Sequence, residues 1–265
     1  MRIGYLGPVG SYSGLAAEKA FPEAELLPYQ SFQSVFQSLK SFETDGIAIP
    51  IENSLNGGVL QNMDLLQSAD GVYAEREISV KIDHRLAYKT GADLKKLERV
   101  YSHAQALNQC SNYLFKNFPT ARLISASSTA ASLDMVKDDR EACIVGAHIK
   151  REGVTLSEEC ISDFKENFTR FLIVKRGSVP ERSASRRIYF SVVALNKSGA
   201  LFKLLQIIYL HGLNMTKIES RPAKTGNEEY RFFIEIEGDY SKDEVKNALA
   251  DVENSSLSFK LLGAY

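Results

Sequence analysis

The chain has no long apolar run, no excess of either charge, only three cysteines and only four histidines. Each shortage removes a class of function. No stretch approaches the ~18 consecutive apolar residues of a bilayer-spanning helix, so no membrane association is expected. Met1 leads straight into the strand-like Arg2-Ile3-Gly4-Tyr5-Leu6, without a charged stretch followed by an apolar one. No signal peptide is therefore expected, and the expected location is cytoplasmic. The 32 basic and 33 acidic residues leave a formal net charge of −1, and no basic cluster is interleaved with aromatics. Such a chain offers no field for a polyanion, and nucleic acid is not an expected partner. Cys110, Cys143 and Cys160 are odd in number and widely spaced, the pattern of reduced thiols rather than of a disulfide framework. His84, His103, His148 and His211 lie far apart, without metal-ligand spacing. There is no Walker sequence and no G-x-S-x-G elbow, and Gly7, Gly10 and Gly14 do not have dinucleotide-loop spacing.

What is present is the ordinary material of a soluble protein: 265 residues, 44% hydrophobic and 25% charged. The first part alternates strand-like and helix-like segments. Ile3–Leu6 reads as a strand and Ser13–Phe21 as a helix. Phe32, Val35, Phe36 and Leu39 fall on one helical face, and Gly46–Ile51 is an apolar run typical of a strand buried on both faces. Val72–Lys89 reads as one long extended stretch. Arg99–Ser102, Ala121–Ser125 and Ala142–Val145 read as strands, separated by helices over Gln105–Phe118 and Thr129–Lys137. Alternation of this kind predicts parallel sheets covered by helices. Two such units joined by an extended crossover predict two lobes with a cleft between them.

A polar, turn-rich segment, Gly177–Arg187, reads as a linker. Beyond it the rhythm becomes βαββαβ: Ile188–Leu195, a helix marked by Leu201, Leu204, Leu205 and Ile208, Asn214–Ser220, Glu229–Glu237, a helix over the Val245, Ala248, Leu249, Val252 stripe, and Ser258–Tyr265. Ser241 and Glu244 have capping-box spacing before the second helix. This order describes a ferredoxin-like α+β domain.

Small hydroxyl and amide residues gather where strands end and helices begin. They are Ser11-Tyr12-Ser13, Asn53-Ser54 with Gly57-Gly58, Ser102-His103-Ala104-Gln105, and Ser127-Ser128-Thr129. Any one of them is explained as a helix cap. Four together, at the strand ends of a two-lobed α/β chain, favour a cleft for a small anion.

Further on, the polar pair in Asn167-Phe168-Thr169-Arg170-Phe171 opens directly into an apolar strand. This run resembles a signature of the prephenate dehydratases. So do Gly7-Pro8-Val9-Gly10-Ser11-Tyr12-Ser13, Pro50 through Val59, and Ser102-His103-Ala104-Gln105-Ala106-Leu107. Gly199-Ala200-Leu201 and Asn214 through Pro222 resemble the phenylalanine-binding motifs of the ACT domain in those enzymes. The motifs cover nearly the whole chain in the family's order. Departures are mild: Ser11-Tyr12 stands where Thr-Phe is frequent, Asn56 replaces a common acidic residue, and Ala104 a common proline.

The resemblance implies a two-lobed α/β catalytic domain of the type-II periplasmic-binding-protein kind over residues 1–177, then an ACT domain over 186–265. Lobe one would take about 1–76 and 160–177, and lobe two about 77–159. It implies loss of water and CO2 from prephenate to give phenylpyruvate. Forming an aromatic ring drives that reaction, so the protein has only to assist the departing hydroxyl and hold two carboxylates, without metal or cofactor. By motif position Thr169 is the implied catalytic hydroxyl, donating to or orienting the leaving group. Ser11, Asn53, Ser54, Gln105 and Thr129 are implied substrate contacts, with Phe171 and Arg170 beside them. Arg170 would either face a substrate carboxylate or fix the loop by a salt bridge. His103 reads as a helix-start residue more than as an acid. L-phenylalanine is the implied effector, contacting Gly199, Ala200, Leu201, Asn214, Glu219 and Ser220 where ACT domains pair in a homodimer or homotetramer. Arogenate dehydratase and a non-catalytic small-acid sensor are the alternatives.

Overall fold

The computed structural model describes residues 1–181, 184–223 and 229–265. In chain order the first part comprises β1 (Arg2–Leu6), α1 (Tyr12–Ala20), β2 (Glu25–Tyr29), α2 (Phe32–Lys40), β3 (Gly46–Asn53), the short β4 (Gly57–Gly58), α3 (Leu60–Ser68) and β5 (Val72–Lys81). Next come β6 (His84–Lys89), β7 (Arg99–Ser102), α4 (Ala104–Gln109), α5 (Ser111–Asn117), β8 (Arg122–Ser125), β9 (Glu141–Gly146), β10 (Val154–Leu156) and β11 (Phe168–Arg176). The last part is β12 (Arg187–Val193), α6 (Ala200–Leu210), β13 (Met215–Pro222), β14 (Tyr230–Glu237), α7 (Asp243–Asn254) and β15 (Ser258–Ala264).

The two lobes and the βαββαβ unit are present as expected. Lobe two is a five-stranded sheet in the order β10-β6-β9-β7-β8. The first lobe and the C-terminal domain share one sheet, in the order β13-β14-β12-β15-β5-β11-β3-β1-β2. β15 joins β5 through the single parallel pair Gly263↔Ala74, so the seam between the domains is narrow. It is reinforced face to face. Helices α6 and α7 cover one side of the C-terminal sheet through Leu204, Ile208, Val245, Leu249 and Val252. Strand alternation sends Tyr189 and Phe233 to the other side, where they and Leu262 pack on Met63, Leu66, Val72 and Ala74 of lobe one. Full burial of each such side chain contributes roughly 1.5–3 kcal/mol.

Several segments differ from the sequence expectation for identifiable reasons. The extended stretch 72–89 is two strands in two different sheets. β5 pairs with β11 as far as Lys81↔Phe168, so the chain changes lobes at Ile82–Asp83, later than the expected boundary near 76. The helix expected over Gln105–Phe118 breaks at Cys110. Asp163 accepts from the Ser111 hydroxyl and the Asn112 N–H, capping a new helix start. Only a 3₁₀ turn, Ala131–Met135, forms where Thr129–Lys137 reads as a helix; the Ser132 hydroxyl is drawn to Thr129 O and to Ile144 O of β9. Ser241 gives its hydroxyl to Asp239, and α7 starts without a side-chain cap instead of a capping box. β2 and β10, too short and mixed for a periodicity signal, add edge strands. Residues 182 and 183 of the linker lie outside the described residues; the rest of 177–186 is neither helix nor strand. Cys110 and Cys143 are buried free thiols and Cys160 a half-buried one. Burial pushes the Cys143 thiol up to about 12. No helix among the described residues is long and apolar enough to cross a membrane.

Candidate active site

The carboxyl ends of β1, β3, β7 and β8 converge between the lobes, together with the start of β11, which runs antiparallel to β3. A cleft of about 280 Å³ lies there, lined by Tyr12, Ser13, Asn53, His84, His103, Gln105, Gln109, Ser127, Ser128, Thr129, Thr169 and Phe171, among others. This volume is close to the lower limit of ligand clefts, ~300 Å³. A larger groove of about 830 Å³ runs between the domains, but Glu75, Glu77, Arg187 and Glu237 line it, not the hydroxyl and amide groups of the strand ends.

Thr169 is the centre of the cleft's polar chemistry. Asn53 Nδ2 donates to Thr169 Oγ1 at 3.0 Å and to Asn167 Oδ1 at 2.8 Å. Asn53 Oδ1 in turn accepts the N–H groups of Leu55 and Asn56, which fixes the orientation of its amide. Asn167 Nδ2 and His84 Nε2 both meet Gln109 Oε1, at 3.3 and 3.1 Å. An amide oxygen only accepts, so His84 carries its hydrogen on Nε2 and leaves Nδ1 as a buried bare acceptor. The chain His84–Gln109–Asn167–Asn53 thus ends by occupying a lone pair of Thr169 and leaving the Thr169 O–H free to point into the cleft.

The lobes are also tied directly. Tyr12 OH donates to Asp83 O at 3.0 Å, and His148 Nε2 donates to Gly10 O at 2.9 Å. Burial pushes His84 below the usual histidine range, against the hydrogen bond it donates to Gln109, so it is neutral near pH 7. A depressed folded-state value means stability is fully present above about pH 6.5 and is lost as pH falls toward the folded value, at no more than about 1.4 kcal/mol per pH unit. The unfolding midpoint measured from pH 7 to 5 should fall accordingly, and His84→Gln should flatten that slope. An unchanged slope would show that His84 does not resist protonation.

The expected site residues separate into three groups. Asn53, Gln105, Thr129, Thr169 and Phe171 line the cleft. Ser11 and Ser54 stand behind it. Ser11 Oγ donates to Leu6 O and caps α1 by accepting from Gly14 N, while Ser54 Oγ accepts from Phe168 N. Arg170 faces the opposite side of β11, because alternate residues of a strand point to opposite faces. There it bonds Glu52 at 2.8 Å, Glu77 at 2.5 Å and Glu235 of the C-terminal domain at 2.6 Å. Burial works against the Arg170 charge, and Glu77 and Glu235 outweigh it, so the guanidinium is held protonated. Of Arg170's two implied roles, this placement is that of a salt bridge. His103 caps α4, its Nδ1 accepting from Gln105 N at 3.3 Å, with its side chain on the cleft.

No local pattern in the sequence marks His84 or Gln109. Each stands alone in a strand or helix pattern, and only the fold brings them to Asn167.

In the C-terminal domain Gly199 starts α6 in the left-handed conformation, φ 79°. Asn214 lies past the far end of that helix, with its amide on Glu237 Oε2. Helix α6 has 11 residues, a length of about 16 Å. Glu219 sits on the face of β13 toward lobe one, beside Gly58, and Ser220 on the opposite face.

Comparison with known proteins accords with this geometry. The family model for prephenate dehydratase matches residues 3–179 and that for the ACT domain residues 188–254. The bifunctional chorismate mutase/prephenate dehydratase of Aquifex aeolicus is 33% identical over the whole chain, which covers 73% of that protein. The prephenate dehydratase of Amycolatopsis methanolica is 30% identical, with 100% of this chain and 88% of that protein covered. The crystal structure of the Arthrobacter aurescens prephenate dehydratase, in complex with L-Phe, superposes with a TM-score of 0.90 at 29% identity, covering 100% of this chain and 90% of that one. These family-model matches and relatives place the chain in the prephenate dehydratase family, with an ACT domain after the catalytic one.

Proposed function

We propose that the protein converts prephenate to phenylpyruvate, acting as a carbon–oxygen lyase, and that L-phenylalanine inhibits it through the ACT domain. The observation that carries the reading is Thr169: a hydroxyl at the cleft centre, its acceptor side occupied by Asn53 and its O–H available to the substrate. Loss of the ring carboxylate as CO2 leaves its bonding pair in the ring, the C4–oxygen bond breaks, and the hydroxide leaves as water after taking up a proton. A threonine hydroxyl is a weak acid, so Thr169 acts chiefly by hydrogen-bonding the departing oxygen. The carboxylates are received by Gln105, Ser127, Ser128, Thr129 and the N–H groups at those turns, fixed dipoles in a partly closed site.

The cleft lining contains hydroxyl, amide and imidazole groups and no carboxylate side chain. Arogenate would bring an ammonium into this cleft with no carboxylate side chain of the lining to meet it, whereas hydroxyl and amide dipoles are suited to the keto acid. Turnover of prephenate should therefore exceed that of arogenate at least tenfold in kcat/KM. Purified protein mixed with each compound, with formation of phenylpyruvate or phenylalanine followed, measures this. No product from prephenate would overturn the activity.

The effector reading is supported by the distance between Gly199 and Asn214. They lie at opposite ends of α6, too far apart for one phenylalanine within one chain, so a pocket using both needs a second copy. The flat face of the ACT sheet is covered by lobe one, which leaves the β13 edge and the helix side for pairing. We place the protein in the cytoplasm as a homodimer or homotetramer.

A further inference from the structure

Arg170 stands next to Thr169 on β11, and Glu52 stands next to Asn53 on β3. The register pairs Thr169 with Asn53 and Arg170 with Glu52, and it shifts immediately afterwards, between Arg170 and Phe171. The skipped residue is Ile51 of β3, and a bulge bends its own strand and re-aims the side chains beside it, here Glu52 and Asn53, so the position of Thr169 depends on what holds the ladder beside it. On the cleft side that is Asn53. On the other side it is the Arg170–Glu52 ion pair, and this pair is not held by the catalytic domain alone.

Glu235 of β14 is almost completely buried, its side chain 2% exposed, and its Oε2 receives both Arg170 Nη2 at 2.6 Å and Tyr265 OH at 2.8 Å. Its Oε1 receives Thr216 Oγ1 at 2.7 Å and Arg187 Nη1 at 3.1 Å. Lys217 of β13 reaches Glu52 at 3.2 Å. Three cations (Arg170, Arg187, Lys217) and three carboxylates (Glu52, Glu77, Glu235) thus form one neutral cluster across the domain boundary. Burial opposes the Glu235 charge, but the Arg170 guanidinium and the hydroxyls of Thr216 and Tyr265 keep the carboxyl below its usual range.

We infer that Glu235, a residue of the regulatory domain, is a positioning residue for Thr169, acting through Arg170. The catalytic strand pair is complete only when the ACT sheet is seated on it. β13, which carries Glu219 and Ser220, is joined to the same cluster through Lys217, so a shift of that strand bears on Glu52 and on the Asn53 beside it.

The test rests on the prephenate reading and is separable from it by the wild-type assay run alongside: an inactive wild type refutes that reading. With an active wild type, Glu235→Gln in the full-length protein should lower kcat at least tenfold and leave the KM for prephenate within about threefold. Glu235→Asp, which restores the charge, should recover most of that loss. A kcat for Glu235→Gln within twofold of wild type overturns the inference, as does a loss that Glu235→Asp shares in full. Should Glu235→Gln not fold, Tyr265→Phe removes one hydrogen bond from the same Oε2 oxygen. A kcat reduced about threefold at unchanged KM supports the inference, and an unchanged kcat overturns it.

Discussion

Replacing Thr169 with alanine or valine is expected to lower kcat for prephenate about 10²–10⁴-fold, the usual range for one positioned proton-handling group, while the protein stays folded. That range corresponds to roughly 3–5.5 kcal/mol of transition-state stabilisation at 1.36 kcal/mol per decade. Folding should survive because the partner of Thr169 is not left unpaired. Asn53 Nδ2 also reaches Asn167 Oδ1 at 2.8 Å and Phe168 O at 3.2 Å, so removal of the Thr169 hydroxyl leaves no buried donor unsatisfied. Thr169→Ser keeps the oxygen and should retain most of the activity. Steady-state kinetics on prephenate, with the unfolding midpoint as a control, decide the matter. A kcat for Thr169→Ala within about threefold of wild type, a change of ~0.7 kcal/mol, would show that the hydroxyl takes no part.

Gly263→Ala should cause a marked loss of stability through a single added methyl group. Gly263 provides the only ladder pair between β15 and β5. A Cβ at this position would lie 2.6 Å from Ala74 Cβ and 2.6 Å from Ala74 O. Neither contact atom belongs to a flexible side chain, so the strands themselves must part. Overpacking of this kind costs about 1–3 kcal/mol. For a chain of this size each kcal/mol lowers the midpoint by roughly 2–4 °C, so a fall of several degrees is expected in calorimetry. Because Tyr265, two residues on, bonds Glu235, the phenylalanine response of the variant should weaken along with its stability. A midpoint equal to that of wild type would mean that the seam does not carry the contact between the domains.

Much of the fold is legible in the sequence. The Val35, Phe36, Leu39 stripe and the apolar run at Ile47–Ile49 announce a helix face and a buried strand, and all six side chains are buried. Hydroxyl and amide clusters at strand ends pointed to the cleft because caps and anion sites use the same exposed N–H groups. Less legible were segments whose course depends on distant partners. The break at Cys110 exists because Asp163 arrives from 52 residues away to cap Ser111. The division of residues 72–89 between two sheets follows from pairing with β11, to which no local pattern refers.

The sequence by itself determined most of the strands and helices and the order of two lobes and a βαββαβ unit, and its resemblance to a known family singled out Thr169. These are matters of periodicity and of short motifs, written in residues close together in the chain. Tertiary structure alone decided which way each motif residue faces and what stands behind it. Thr169 and Arg170 are adjacent, yet one faces the cleft and the other an ion cluster, because neighbouring strand residues point to opposite sides and the ACT sheet covers the second side. His84 and Gln109 reach Asn167, two residues before Thr169, only through the meeting of the lobes. Glu235 reaches Arg170 only through the docking of the regulatory domain. Contacts between residues 25, 58 and 65 positions apart depend on chain topology, which no local pattern encodes.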